Sequence, residues 1–442
     1  MLISIDSLRA DHLGSYGYNK PTSPTMDALA AQGARFEWAI STTSWTLPAH
    51  AAMFTGLYDS AHGLVDNGLA LAAEHRTLAE VLQDNGYQTG GFFGGPYLHP
   101  IFGLGQGFDT YESCMAQIDT DATEESVRDQ SRQKHSASHS DVTSPRTLAA
   151  ATRWLDSLDR DKPFFLFLHL WDVHYDFLPP KELVDLFDPG YAGTLTGENF
   201  MDNPAVRADM DARDFAHLLA LYDGEIRFVD DHIGQLVEVL KGRGEWDNCL
   251  FVITADHGEE FFEHGQKGHQ KTLFDEVVHV PLVLTWPGHI PAGVRVSDPV
   301  RSIDLMPTLL TAAGVSKRPR VQGRDLWPLI KGQSLPSEPA LCELLVDKRE
   351  YRAVRTSGFK VVRSHPSKAL AGFDLSSNPK EALVGQILEP DPRVVSGGRV
   401  LLAETERARE WLRTLGAGPK EIEMDPAMLE NLRNLGYVDH SK

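Results

Sequence analysis

Cysteine is scarce: only Cys114, Cys249 and Cys342 occur among 442 residues, far from one another. That spacing matches no metal-ligand pattern and offers no disulfide framework. Cys249 opens an apolar run and is expected in the core. Positive charge is also short, since 42 Lys and Arg stand against 62 Asp and Glu, a formal net charge of −20. A nucleic-acid binder needs a cationic surface to release counterions, so that class is excluded. No apolar run reaches the roughly 20 residues that a membrane-spanning helix requires. Internal repeats are absent. The apolar start at Met1 carries neither a charged leader nor a cleavage site, so a cytoplasmic location is expected.

What is present is an ordinary globular composition, 42% hydrophobic and 24% charged. Apolar strand-like runs alternate with helical periodicity, which predicts an α/β fold with a large, mainly parallel sheet flanked by helices. Helices are expected over 26–36, over 77–85 with Gly86 as the stop, from Ser144-Pro145 onward, and over 212–240. Phe164-Phe165-Leu166-Phe167-Leu168 reads as a strand buried on both faces. Further strands are expected at 2–5, 88–93, 249–253 and 280–284. Polar residues dominate 115–142, predicting an exposed excursion in which His135 and His139 are solvated. Residues 179–206, rich in Pro and Gly, read as a lid. Residues 1–336 are then expected to form the large α/β domain. Short alternating pieces from 337 to 442 predict a small antiparallel-sheet domain, closed by a helix carrying Met428, Leu429, Leu432 and Leu435.

Chemistry gathers at strand ends. Asp6 follows the first apolar run, Asp172 and His174 follow another, and Asp256-His257 follow a third. In open α/β sheets ligands bind beyond the carboxyl ends of the strands. Thr46 stands at a predicted helix start, two residues before Pro48, where free backbone donors favour an anion. A divalent cation held by Asp6, Asp256 and His257 would lower the pKa of the Thr46 hydroxyl. His50, His174, His269 and Lys271 could then bind ester oxygens or protonate a leaving group. A second ion on Asp172 and His174 would mark a two-metal phosphodiesterase.

These residues fall in ordered motifs: Ile5-Asp6-Ser7-Leu8-Arg9, Thr46-Leu47-Pro48-Ala49-His50, Thr55-Gly56, Phe165-Leu166-Phe167-Leu168-His169 followed by Asp172-Val173-His174, Asp256-His257-Gly258-Glu259, Glu263-His264-Gly265, Gly268-His269, Val280-Pro281-Leu282, and the Leu435-Gly436-Tyr437 tail. Over nearly its whole length the chain resembles the sulfatase family of the alkaline-phosphatase-like superfamily. The resemblance implies a metal-dependent hydrolase cleaving sulfate esters, with Asp6, Asp256 and His257 as metal ligands and Thr46 as nucleophile. It matches His50 to a basic residue, His174 and His269 to ester-contacting residues, and Asn67 to a substrate-side amide. By resemblance the ion is calcium, with zinc, manganese and magnesium open. The implied substrate is a small anionic ester, and the sequence sets no oligomeric state.

Three departures accompany the resemblance. Thr46 stands where sulfatases carry a Cys or Ser that becomes formylglycine, and its Cβ methyl bars that aldehyde. His50 replaces the usual Arg, and Ser7 replaces a second acid, leaving a weaker ligand. Relatives that use threonine handle phosphorus, so a phosphodiester or phosphonate monoester hydrolase, or a phosphoryl transferase, is the alternative. A non-catalytic metal-binding pseudoenzyme is a third reading.

Overall fold

The computed structural model describes residues 1–116, 141–346, 349–364 and 366–422. His135, His139 and the tail helix expected around Met428 and Leu435 lie outside the described residues.

The central sheet has eight strands: β1 (Leu2–Ile5), β2 (Ala34–Phe36), β3 (Gln88–Phe93), β4 (Thr110–Ser113), β5 (Phe164–Leu170), β6 (Phe251–Ala255), β7 (Leu282–Thr285) and β8 (Val294–Val296). Their order is β8-β2-β7-β6-β1-β5-β3-β4. All neighbours are parallel except for β7, which runs against both β2 and β6. The middle strands β1, β5 and β6 are almost wholly buried, as continuous apolar runs in a sheet covered on both faces require. Ile5 pairs with Leu170 on one side and Ala255 on the other. The three strands therefore end level, and Asp6, Trp171 and Asp256 leave the sheet from one edge.

Helices α1 (Pro24–Gln32), α2 (Thr46–Thr55), α3 (Leu78–Asp84), α4 (Ser144–Ser157), α5 (Ala212–Gly242) and α6 (Leu305–Ala312) cover the sheet. Thr77 and Glu80 close a reciprocal capping box on α3. The helix expected over 26–36 is cut at Gln32, and its last three residues form β2. The reason is Gly33, where a Cβ would lie 2.2 Å from the Leu284 carbonyl oxygen of β7. Only a residue without a side chain lets the chain turn there from helix into the sheet.

The C-terminal sheet is antiparallel, with β9 (Ala340–Val346), β10 (Arg349–Arg355), β11 (Phe359–Arg363), β12 (Leu370–Asp374) and β13 (Ile387–Leu388) as consecutive neighbours. Helix α7 (Pro392–Leu415), which the sequence reading did not single out, lies on that sheet. Among the described residues no helix is long and apolar enough to cross a membrane. All three cysteines are free and buried.

Candidate active site

Thr46 is the first residue of α2, a ten-residue helix whose every side chain is buried. Trp45 precedes it in extended conformation, and Gly56 ends the helix at φ 66°, a left-handed value that glycine adopts freely. Burial fixes the helix rigidly, so the Thr46 hydroxyl has a defined seat. Its Oγ1 lies 3.4 Å from Asp6 Oδ2 and 3.2 Å from His257 Nε2. Residues from the ends of β1 and β6 and the start of α2 thus meet at one point.

Ser7 holds the carboxylates in place. Its hydroxyl donates to Asp6 Oδ1 at 2.7 Å, and its backbone N–H points to Asp256 Oδ1 at 3.3 Å. Its φ of 54° is unusual for a residue with a side chain, which marks a strained turn at the strand end. Asp256 Oδ2 is buried and accepts no hydrogen bond. Burial opposes ionisation of Asp6, yet His169 first and then His257 hold its carboxyl well below the usual range. Burial and the adjacent Asp6 push Asp256 up to about 6. Burial works against a charge on His257, but Asp256 and Asp6 outweigh it and raise the imidazole. Two buried carboxylates so close ask for a cation between them. The ligand atoms of Asp6, Asp256 and His257 all lie within 4.8 Å of one another, and the orphaned Asp256 oxygen fits a metal centre.

His174 and His269 form the rim. The His269 ring sits 4.4 Å from that of His257 and 5.1 Å from that of His174. His174 stacks on Trp171 at 3.8 Å, with its Nδ1 donating to the Tyr175 carbonyl at 2.6 Å. Burial pushes the His174 imidazole down to about 3, so it is neutral. Glu259 Oε1 faces His269 Nδ1 at 3.1 Å, one proton joining the buried pair. The loop carrying His269 is tied to the segment just before α2, because Gln270 N–H donates to the Ser44 carbonyl and Ser44 Oγ to that of Thr272. Residues 179–206 pack against the same loop: Lys267 Nζ donates to the Phe200 and Val206 carbonyls at 2.7 and 2.8 Å.

Other expected residues lie differently. His50 was expected to handle the ester, but it sits beneath Thr46. Its Nδ1 donates to the Thr46 carbonyl at 2.8 Å and its Nε2 faces Ser4 Oγ at 3.0 Å, so both ring nitrogens are used. Burial, then His169, holds it well below the ordinary histidine value. Lys271 gives its Nζ to the Lys267 carbonyl at 2.6 Å. Asn67 is half-buried on the loop before the short Leu69–Ala70 strand. Asp172 caps α4, receiving Thr143 N–H at 2.7 Å and Ser144 N–H at 2.8 Å along with both hydroxyls. The two-ion arrangement on Asp172 and His174 is therefore not formed. His169 was given no role by sequence reasoning, yet its Nε2 lies 3.4 Å from Asp6 Oδ2. The signal was a lone histidine inside an apolar strand, which must find a polar partner when buried.

Comparison with known proteins agrees with this architecture. The sulfatase family model matches residues 1–315, and a model of the N-sulphoglucosamine sulphohydrolase C-terminal region matches 263–386. An ulvan-active sulfatase of Formosa agariphila is 26% identical over 383 residues, covering 82% of this chain and 72% of that protein. An N-acetylglucosamine-6-O-sulfatase of Bacteroides thetaiotaomicron is 25% identical over 396 residues, covering 73% and 68%. The phosphonate monoester hydrolase of Agrobacterium radiobacter shares the fold, with a TM-score of 0.72 at 21% identity over 97% of this chain and 98% of that one. With the sulfatase family model spanning well over half of its residues, this chain belongs to the sulfatase family.

Proposed function

We propose that this protein is a metal-dependent hydrolase of small anionic sulfate esters in which the unmodified Thr46 hydroxyl is the nucleophile. The observation that carries the reading is the seat of that hydroxyl, at a buried helix start within 3.4 Å of Asp6 and 3.2 Å of His257. Asp6, Asp256 and His257 would hold a divalent ion, which would supply Lewis acidity to lower the hydroxyl pKa and offset the charge of the ester. The free N–H groups at the start of α2 receive ester oxygens. Thr46 Oγ, its proton released to solvent, bonds to sulfur while the S–O bond to the alcohol breaks; the leaving oxygen takes the Nε2 proton of His269 as Nδ1 takes over the proton held with Glu259. Water then bonds to sulfur, the S–Oγ bond breaks, and the same pair receives the proton of that water. Asn67 and Lys271 act on the substrate side.

A second reading, hydrolysis of phosphodiesters or phosphonate monoesters, draws support from Thr46 itself. Its methyl group excludes the aldehyde route, so the covalent intermediate must be opened by direct attack of water. One experiment separates the two. Turnover of 4-nitrophenyl sulfate and of a 4-nitrophenyl phosphodiester is measured on metal-replete protein, with Thr46→Ala as the blank and chelator as a second control. Sulfate turnover is expected to be the faster and to vanish with either control. Faster phosphodiester turnover that depends on Thr46 moves the assignment to phosphorus. Activity retained by Thr46→Ala removes the mechanism.

A further inference from the structure

His169 lies in β5, whose other residues from Phe164 to Leu170 are all apolar, and it is fully buried. Its Nδ1 is 2.7 Å from the Gly94 carbonyl oxygen. A carbonyl only accepts, so Nδ1 carries a ring proton and Nε2 is the nitrogen left to face the carboxylates. Burial opposes a positive charge on this ring, but Asp6 and Asp256 draw one to it. That Nε2 has no hydrogen-bond partner, and it looks across 3.4 Å at Asp6 Oδ2. A buried nitrogen facing a buried carboxylate at that distance needs a positive charge between them, a proton on the ring or a metal ion.

His257 repeats the arrangement just beyond the end of the next strand but one, β6. Its Nδ1 donates to the Gly258 carbonyl at 2.9 Å, and its Nε2 faces Asp256 Oδ2 at 3.5 Å and Asp6 Oδ1 at 3.9 Å. An imidazole with Nδ1–H pinned by backbone and Nε2 aimed at carboxylates is oriented as a metal ligand. Ligand atoms of His169 and Asp256 also fall within one 4.8 Å cluster whose third member is His50. His50 drops out, because its Nδ1–H is spent on the Thr46 carbonyl and its Nε2 on Ser4 Oγ.

We propose that His169 is a further ligand of the ion held by Asp6, Asp256 and His257, giving that ion two carboxylates and two imidazole nitrogens. The proposal rests on the reading of this site as a metal centre. Two imidazoles suit a first-row transition ion, zinc above all, whereas calcium sites are built from oxygen. The catalytic ion of this protein is thereby of the zinc class.

The test uses full-length protein stripped by chelation and reloaded with zinc or with cobalt(II). Paramagnetic proton NMR of the cobalt form is expected to show exchangeable, strongly shifted N–H signals from two ligating rings. His169→Phe should remove one and His257→Phe the other. Zinc retention against a competing chelator should weaken at least about tenfold in His169→Phe. His169→Gln, polar and similar in length, takes its place if the phenylalanine variant does not fold. Unchanged zinc retention and unchanged cobalt signals on losing His169 overturn the proposal, as they would for a histidine merely protonated against Asp6. A protein that binds calcium and takes up neither zinc nor cobalt overturns it as well. Neither result touches Thr46-dependent turnover, so failure here and failure of the hydrolase reading remain separate.

Discussion

His62 follows α2 by a few residues, is fully buried, and accepts the Leu64 N–H on Nδ1 at 3.1 Å. Burial pushes its imidazole down to about 3. In the unfolded chain the ring takes a proton near pH 6.5, while in the folded protein it stays neutral until far lower. Below about pH 6.5 the unfolded state therefore binds more protons, and stability is lost as pH falls. The full effect, reached near pH 3, is on the order of 4 kcal/mol. His62→Phe should cost about 1 kcal/mol at neutral pH through the unpaired Leu64 N–H. It should also flatten the fall of the urea midpoint between about pH 6.5 and about pH 4. Parallel pH profiles of variant and parent would contradict this account. The residues of the candidate site differ in how far the sequence revealed them. Asp6, Thr46, Asp256 and His257 were legible because each ends an apolar strand or starts a helix, so a polar side chain there has to face the sheet edge. His169 was hidden inside a strand, where pattern reads it as core. For His50 the helical spacing from Thr46 was plain, but which group its ring meets depends on Ser4 in β1 lying below α2, a tertiary fact.

Gly33 shows the same limit among elements. The apolar positions of 26–36 run on through it without a break, so periodicity alone extends the helix. The turn comes from the approach of β7, whose Leu284 carbonyl leaves no space for a Cβ. Gly33→Ala must displace backbone and should cost about 1–3 kcal/mol. Gly242→Ala, at the open end of α5 with nothing within 4 Å of the new methyl group, should be neutral or stabilising by up to about 1 kcal/mol. Urea midpoints of the two variants side by side decide it: equal midpoints would mean that β2 and β7 are not paired as described. Strand direction was illegible for a related reason, since the apolar run of β7 reads alike both ways along the chain. Helix α7 escaped notice because its apolar signal is thin, with Val394, Leu401 and Ala408 seven residues apart and two glycines between. Those glycines are what lets it lie on the sheet. A Cβ on Gly397 would meet Val361 at 2.2 Å, and one on Gly398 would meet Leu370 at 2.4 Å.

At the scale of the whole molecule, the question is what holds the C-terminal sheet against the sheet that carries the site. Asp275 lies just beyond the His269 loop, and Lys360 of β11 reaches it at 2.8 Å and Glu381 at 2.9 Å. Arg355 of β10 adds a contact to Asp275 at 3.1 Å, and Asp275 N–H donates to Glu381 at 2.6 Å. Two acids thus face two bases, burial and the adjacent Asp275 push the Glu381 carboxyl up to about 7, and Lys360 is wholly buried. Their positions span more than a hundred residues, so no local pattern in the sequence could pair them. Burial opposes ionisation of Asp275, but Lys360 and Arg355 hold its carboxyl well below the usual range. Its contribution is present above about pH 4 and lost as pH falls through the folded value. Lys360→Met leaves two buried carboxylates facing one guanidinium and should destabilise by about 3–5 kcal/mol. Adding Asp275→Asn restores the balance between Glu381 and Arg355, so the double variant should recover at least about 1 kcal/mol over the single one. Urea unfolding at neutral pH, followed by tryptophan fluorescence, gives both numbers. A single-variant loss under about 1 kcal/mol would show that the cluster does not lock the sheets. A double variant less stable than Lys360→Met would show that Asp275 acts through its backbone neighbours, since neutralising it would then relieve no uncompensated charge.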